Sequence, residues 1–230
     1  MVAFRGYYAP PADGAYALYV VGTNGCTPRR LTRGIAGNPS WSPNGKWIVF
    51  DTSGEGQLWK IRPDGTQPTL LGGGGKRQEM SPAWSPNGSK IAFVRVVRGH
   101  AQIWVMNADG TDPVKLRAAA RLNYEEPHWS RNGKRISFVA TKNLAQGPSR
   151  IEVMNANGKH LRTITRRHGY AWNPVWLPHD AGLAWLASAS GEGGSVYVAR
   201  PNGSDVQRVL RARAEQFAWS STPLRRRACR

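Results

Sequence analysis

Two phrases alternate along this 230-residue chain, and together they predict an all-β fold, a β-propeller of four-stranded blades. The first reads "PSWSPNGKWIVF" around Trp41, "PAWSPNGSKIAF" around Trp84 and "PHWSRNGKRISF" around Trp129. It returns degraded as "PVWLPHDAGLAW" at Trp176 and truncated as "FAWSSTP" at Trp219, giving Trp spacings of 43, 45, 47 and 43. The second reads "LYVVGTNG", "LWKIRPDG", "IWVMNADG", "IEVMNANG" and "VYVARPNG", with an aliphatic six residues after each final glycine: Leu31, Leu71, Leu116, Ile164 and Val209.

Each piece reads as a strand or a turn. In "Ser-Pro-Asn-Gly" the proline sits where φ near −65° is wanted and the glycine where φ is positive, which is a type I turn closing a tight hairpin. The segments between turns are short and rich in Val, Ile, Phe, Tyr and Trp. A unit therefore holds strand A ending at the Trp, strand B ending near Phe50 or its equivalents, strand C before the second turn, and strand D ending at the aliphatic. The predicted blades are 39–72, 82–117, 127–165 and 173–210, and "LPHDAG" in the last predicts a distorted hairpin. The start "MVAF" aligns with strand B, residues 18–25 and 29–32 supply C and D, and 215–220 form a lone strand A. Joining 1–34 with 215–221 makes a fifth blade and removes the free edges of an open ring. The whole is then one domain, 1–223, with a basic tail, 224–230.

Both phrases, in this order and spacing, resemble the propeller repeat of the TolB family, which also occurs in the propeller domains of prolyl-oligopeptidase-like enzymes. The resemblance covers nearly the whole chain, from Val2 to about Pro223. It implies a bacterial binding scaffold, or a propeller that gates substrate for a hydrolase or peptidase domain not contained in this sequence. It also implies a periplasmic or extracytoplasmic location if the start is truncated. No export signal is read in "MVAFRGYYAPPADG", so the sequence as given points to the cytoplasm. Met1 falls inside a strand, and both a fragment and a complete ring remain open.

The formal net charge is +18, with 24 Arg against 8 Lys. Such a charge favours anionic partners and carries no information about fold, and an Arg-rich genome is the bland reading. No apolar run reaches the length of a membrane span. Two cysteines, Cys26 and Cys229, make neither a metal motif nor a disulfide scaffold. They lie on one face of the closing blade, where a disulfide could lock it in an oxidising compartment; two free thiols are the alternative.

The repeated residues are structural, since the Trp side chains wedge between sheets. Function is expected where copies differ, just before strand A. Three residues before each Trp stand Asn38, Ser81, Glu126, Asn173 and Gln216; four before stand Gly37, Met80, Glu125, Trp172 and Glu215. Glu79 adds a carboxylate nearby. The D–A connections carry Arg33, Lys76, Arg77, Arg117, Arg121, Arg166, Arg167, Arg211 and Arg213. The expected picture is a basic collar around a polar, partly acidic funnel that takes a protein or peptide partner; solvated loop charges are the plain reading. An anionic polymer is a second class of ligand. Specific nucleic-acid binding is not expected, because the repeats use the aromatics that would stack on bases.

Enzyme motifs are poor. "LGGGGKRQ" lacks the Ser or Thr and the helix of a phosphate loop, and no Gly-x-Ser-x-Gly turn exists. Glu125 and Glu126 are adjacent, so on a regular strand they point oppositely. His100, His128, His160, His168 and His179 fall at different repeat positions, which argues against a channel metal. A non-enzymatic monomer without cofactor is expected.

Overall fold

The computed structural model describes residues 1–6, 16–22, 27–52, 54–73, 77–142, 147–165, 169–190 and 194–214, with side chains up to 210. It is a five-bladed β-propeller built of antiparallel sheets. The first described sheet holds β1 (Val2–Gly6), β2 (Ala17–Val21) and β3 (Arg29–Arg30). The second holds β4 (Ala36–Trp41), β5 (Ile48–Thr52), β6 (Gln57–Ile61) and β7 (Thr69–Gly72), and the third β8 (Gln78–Trp84), β9 (Lys90–Val97), β10 (His100–Asn107) and β11 (Val114–Arg117). The fourth comprises β12 (Asn123–Trp129), β13 (Arg135–Thr141), β14 (Ser149–Asn155) and β15 (Arg162–Thr163). The fifth comprises β16 (Tyr170–Trp176), β17 (Leu183–Ser188), β18 (Gly194–Ala199) and β19 (Gln207–Ala214). The strand expected to complete the first blade, 215–221, lies outside the described residues, as do Trp219, Cys26 and Cys229.

The first strands β4, β8, β12 and β16 touch one another in succession, so they surround the axis. The core consists of layers between blades. Ile48 and Phe50 of β5 meet Leu18 and Val20 of the first sheet, while Val49 between them meets Ile91 and Phe93 of the third. Tyr124 and Phe138 fill the next seam, with rings 5.4 Å apart edge to face, and Trp176 and Trp185 fill the last. Burial on both faces explains why the second strands read as unbroken apolar runs ("IVF", "IAFV", "LAWLA") rather than alternating ones.

Both repeated turns form as the sequence predicts. Gly45, Gly88 and Gly133 have φ of 67°, 78° and 71°, and their amides donate at 2.9 Å to the carbonyls of Ser42, Ser85 and Ser130. The second turn's glycine has a further reason, found between copies. A Cβ on Gly110 would lie 2.7 Å from the carbonyl oxygen of Leu71, and one on Gly158 2.9 Å from that of Leu116. The fourth strand of each blade thus lies against the C–D turn of the next. The expected distortion in the fifth blade is a 3₁₀ turn, η1 (Pro178–Asp180), with His179 and Asp180 at φ of 58° and 55°.

Candidate functional site: the mouth formed before the first strands

The polar positions singled out before each Trp share one backbone feature. Asn38, Ser81, Glu126 and Asn173 have φ of 47°, 52°, 51° and 52°. At each, pairing with the second strand slips: between Gly37 and Ser40, Met80 and Ala83, Glu125 and His128, and Trp172 and Val175. Each is a β-bulge followed by proline (Pro39, Pro82, Pro127, Pro174), which has no N–H to give the ladder. A left-handed conformation costs a non-glycine residue about 1–2 kcal/mol, so four equivalent ones are held by their surroundings.

Those surroundings include carboxylates of the preceding blade. Asp51, buried in β5, accepts from Asn38 Nδ2 at 2.8 Å and from the backbone N–H of Ser81 at 2.7 Å. Glu126 Oε2 accepts the backbone N–H of Asn173 at 2.6 Å. The strand disrupted at a bulge is thereby tied across the seam. Burial pushes the Glu126 carboxyl above its ordinary value; the Asn173 N–H opposes this shift, and the neighbouring Glu125 charge adds to it. Burial also pushes His128 down to about 4.

The remaining predicted residues take different places. Met80 packs on the core between the third and fourth blades. Trp172 is half-buried against Gly194, where a Cβ would stand 2.9 Å from its ring. Of the collar, Arg33, Arg77 and Arg121 are exposed, while Arg117 lies half-buried with Nε donating to the Tyr124 hydroxyl at 3.1 Å. Lys76, Arg166, Arg167, Glu215 and Gln216 lie outside the described residues, as do the side chains of Arg211 and Arg213.

Sequence reasoning missed Asp51 and Arg95. Glu79 is fully buried, and its Oε1 accepts from Arg95 Nη2 at 2.6 Å and Nε at 2.7 Å. The Arg95 guanidinium lies 4.3 Å from the Trp104 ring centroid. A Cβ on Gly72 of the preceding blade would strike Glu79 Oε2, so a larger residue there must displace a carboxylate that Arg95 already holds. The available signal was one charged residue inside an apolar strand, in "VFDT" and "FVRV".

The connections leading into the first strands carry exposed guanidinium groups at Arg33, Arg77 and Arg121 and left-handed backbone at polar residues. Among the described residues no group of three or more His, Cys, Asp and Glu could hold a metal, and no helix is long and apolar enough to cross a membrane.

A propeller built of such repeats defines the class. Within it, the model of the TolB beta propeller domain matches residues 64–223, and the chain belongs to that family. Over 63 residues it is 35% identical to an uncharacterized protein of Agrobacterium fabrum, covering 26% of this chain and 22% of that one. The crystal structure of TolB from Acinetobacter baumannii superposes with a TM-score of 0.69 at 16% identity, covering 85% of this chain and 49% of that one. A puromycin-hydrolyzing peptidase of Mycobacterium tuberculosis superposes with a TM-score of 0.67 at 16% identity, over 91% of this chain and 39% of that one. The chain thus spans half or less of the length of each of these proteins.

Proposed function

We propose that this propeller is a non-enzymatic binding scaffold that presents the mouth before its first strands to a protein or peptide partner. The observation that carries this reading is the bulge repeated at Asn38, Ser81, Glu126 and Asn173. It holds one backbone shape in four blades while the residues beside it differ: Gly37, Met80, Glu125 and Trp172. Exposed Arg33, Arg77 and Arg121 rim the same connections and suit an acidic partner segment. A photo-crosslinking residue at position 121 or 172 should capture a defined partner from lysate at moderate salt. The same residue at exposed Lys46, on the A–B turn, should not. Equal capture from both positions would defeat the proposal. Loss with salt that is steep and indifferent to partner identity would point to an anionic polymer instead.

A second reading has its own observation. The similar peptidase contains this fold as 39% of its chain, so the propeller would gate a catalytic domain. Coding sequence for a hydrolase domain in frame with this chain would favour that reading.

A further inference from the structure

The seam between the second and third blades is filled by two side chains that the next seam lacks. Trp47, two residues before Val49, and Lys60, opposite Val49, face the third blade with it. The Lys60 ammonium sits 5.2 Å from the Trp47 ring centroid and donates to the Ala108 carbonyl across the seam at 3.2 Å. One seam on, Lys90 stands for Trp47, Val105 for Lys60 and Ala156 for Ala108. An indole is exchanged for a flexible stem, and a long amine for a buried valine. A cavity of about 310 Å³ results between the third and fourth blades, with Ser85, Lys90, Val105, Trp129, Gly133 and Ala156 in its lining. No carboxylate is in that lining, and among the described residues no donor reaches the Ala156 carbonyl. Trp129 also differs from its counterpart. Trp84 gives its indole N–H to Gly88 O of its own hairpin at 3.1 Å, whereas Trp129 donates to Ala83 O of the preceding blade at 3.1 Å. Lys90 is exposed, and its ammonium donates once, to Asn107 Oδ1 at 2.7 Å, so two of its three N–H groups stay available.

We propose that this cavity binds an aromatic ring carrying a carboxylate, either a free aromatic acid or the C-terminal aromatic residue of a peptide. The ring takes the space that the Trp47 indole takes one seam earlier, between Val105 and Trp129. The carboxylate meets the Lys90 ammonium, the one charge in the lining. Mostly apolar walls with a few placed polar groups are the usual make-up of a small-ligand site. The Trp129 ring adds an aromatic contact whose position its bond to Ala83 fixes. An N–H on the ligand's ring would find the Ala156 carbonyl, as the Lys60 ammonium finds that of Ala108. The cavity lies at the hairpin end of the first strands, away from the mouth, so the site is independent of the partner proposed there.

Calorimetric titration of the full chain tests this. Indole-3-acetate is the probe for a free acid, and acetyl-Gly-Gly-Trp with a free carboxylate the probe for a peptide end. The tighter of the two identifies the source. Tryptamine, the same ring bearing an ammonium, should bind at least about fivefold more weakly than indole-3-acetate, the worth of one exposed charge pair. Val105→Lys with Lys90→Trp rebuilds the filled seam of the second and third blades, and binding of both acids should then be lost while the thermal unfolding transition remains. Lys90→Met keeps the cavity and should weaken the acids about fivefold without weakening tryptamine. No saturable binding of either acid, undiminished binding in the double variant, or equal affinity for indole-3-acetate and tryptamine overturns the proposal. If the double variant fails to fold, Lys90→Met decides, and an unchanged affinity for the acids overturns it.

Discussion

The carboxylate of Asp180 reaches across a seam to the backbone of Arg131. Its Oδ1 accepts the Arg131 N–H at 2.6 Å, and its Oδ2 accepts that of Asn132 at 2.9 Å. Two other A–B turns carry Pro43 and Pro86 where this one carries Arg131, and proline has no N–H to satisfy. The departure "SRNG" in the fourth blade is therefore answered by the departure "LPHDAG" in the fifth.

Asp180→Ala should cost about 1 kcal/mol in urea denaturation, because it removes two hydrogen bonds whose exposed donors then turn to water. Arg131→Pro in the same chain should recover part of that loss, since it removes one donor and restores the residue of the other turns. Additive effects of the two substitutions would show that the pair is not coupled.

His128 should make the fold acid-sensitive. Its value of about 4 in the native state lies below the ordinary 6.5, so the unfolded chain binds a proton that the folded chain refuses. The associated stability is present above pH 6.5 and is lost as pH falls toward 4, by up to about 3 kcal/mol. Stability measured across that window should flatten in His128→Gln.

Glu126 should act in the opposite sense. Its native pKa is raised, so its contribution is greatest below the unfolded value and is lost as pH rises through the folded one. Glu126→Gln keeps an acceptor for the Asn173 N–H and removes the titration. Relative to the unaltered chain it should therefore gain stability as pH rises above 4.5. A constant difference across that range would disprove the assignment.

Gly110→Ala should destabilise by more than Gly99→Ala, although both glycines have positive φ, 94° and 79°. The added methyl at 110 strikes the Leu71 carbonyl, whereas at 99 it meets nothing within 4 Å among the described residues. About 1 kcal/mol is expected for the conformation alone at Gly99 and a few kcal/mol at Gly110. Thermal unfolding of the two variants separates the contributions.

The strands, both turns and the five blades were legible because hairpin chemistry is local: a proline, a polar residue and a glycine specify the turn wherever they occur. The bulges at Ser81 and Glu126 were not, since nothing in those residue types announces positive φ; at Ser81 the backbone N–H is taken by a carboxylate of the neighbouring blade thirty residues away. Glu126 reads as a free funnel acid in sequence, yet it spends Oε2 on the Asn173 amide. Gly110 reads as turn grammar and is equally a demand of Leu71. Information carried between repeats escapes a search for what repeats.

Two boundaries carry charged locks: between the second and third blades, Asp51 with the Ser81 amide and the Glu79–Arg95 pair against Gly72; between the fourth and fifth, Glu126 with the Asn173 amide and Asp180 with the Arg131 amide. A blade docking out of turn during folding would take the Ser81 donor from Asp51 and the Asn173 donor from Glu126, leaving each half-buried or buried carboxyl group short of a partner. Near-identical modules are thereby given addresses, and the order of assembly is written in single charges that their shared motif leaves free to vary.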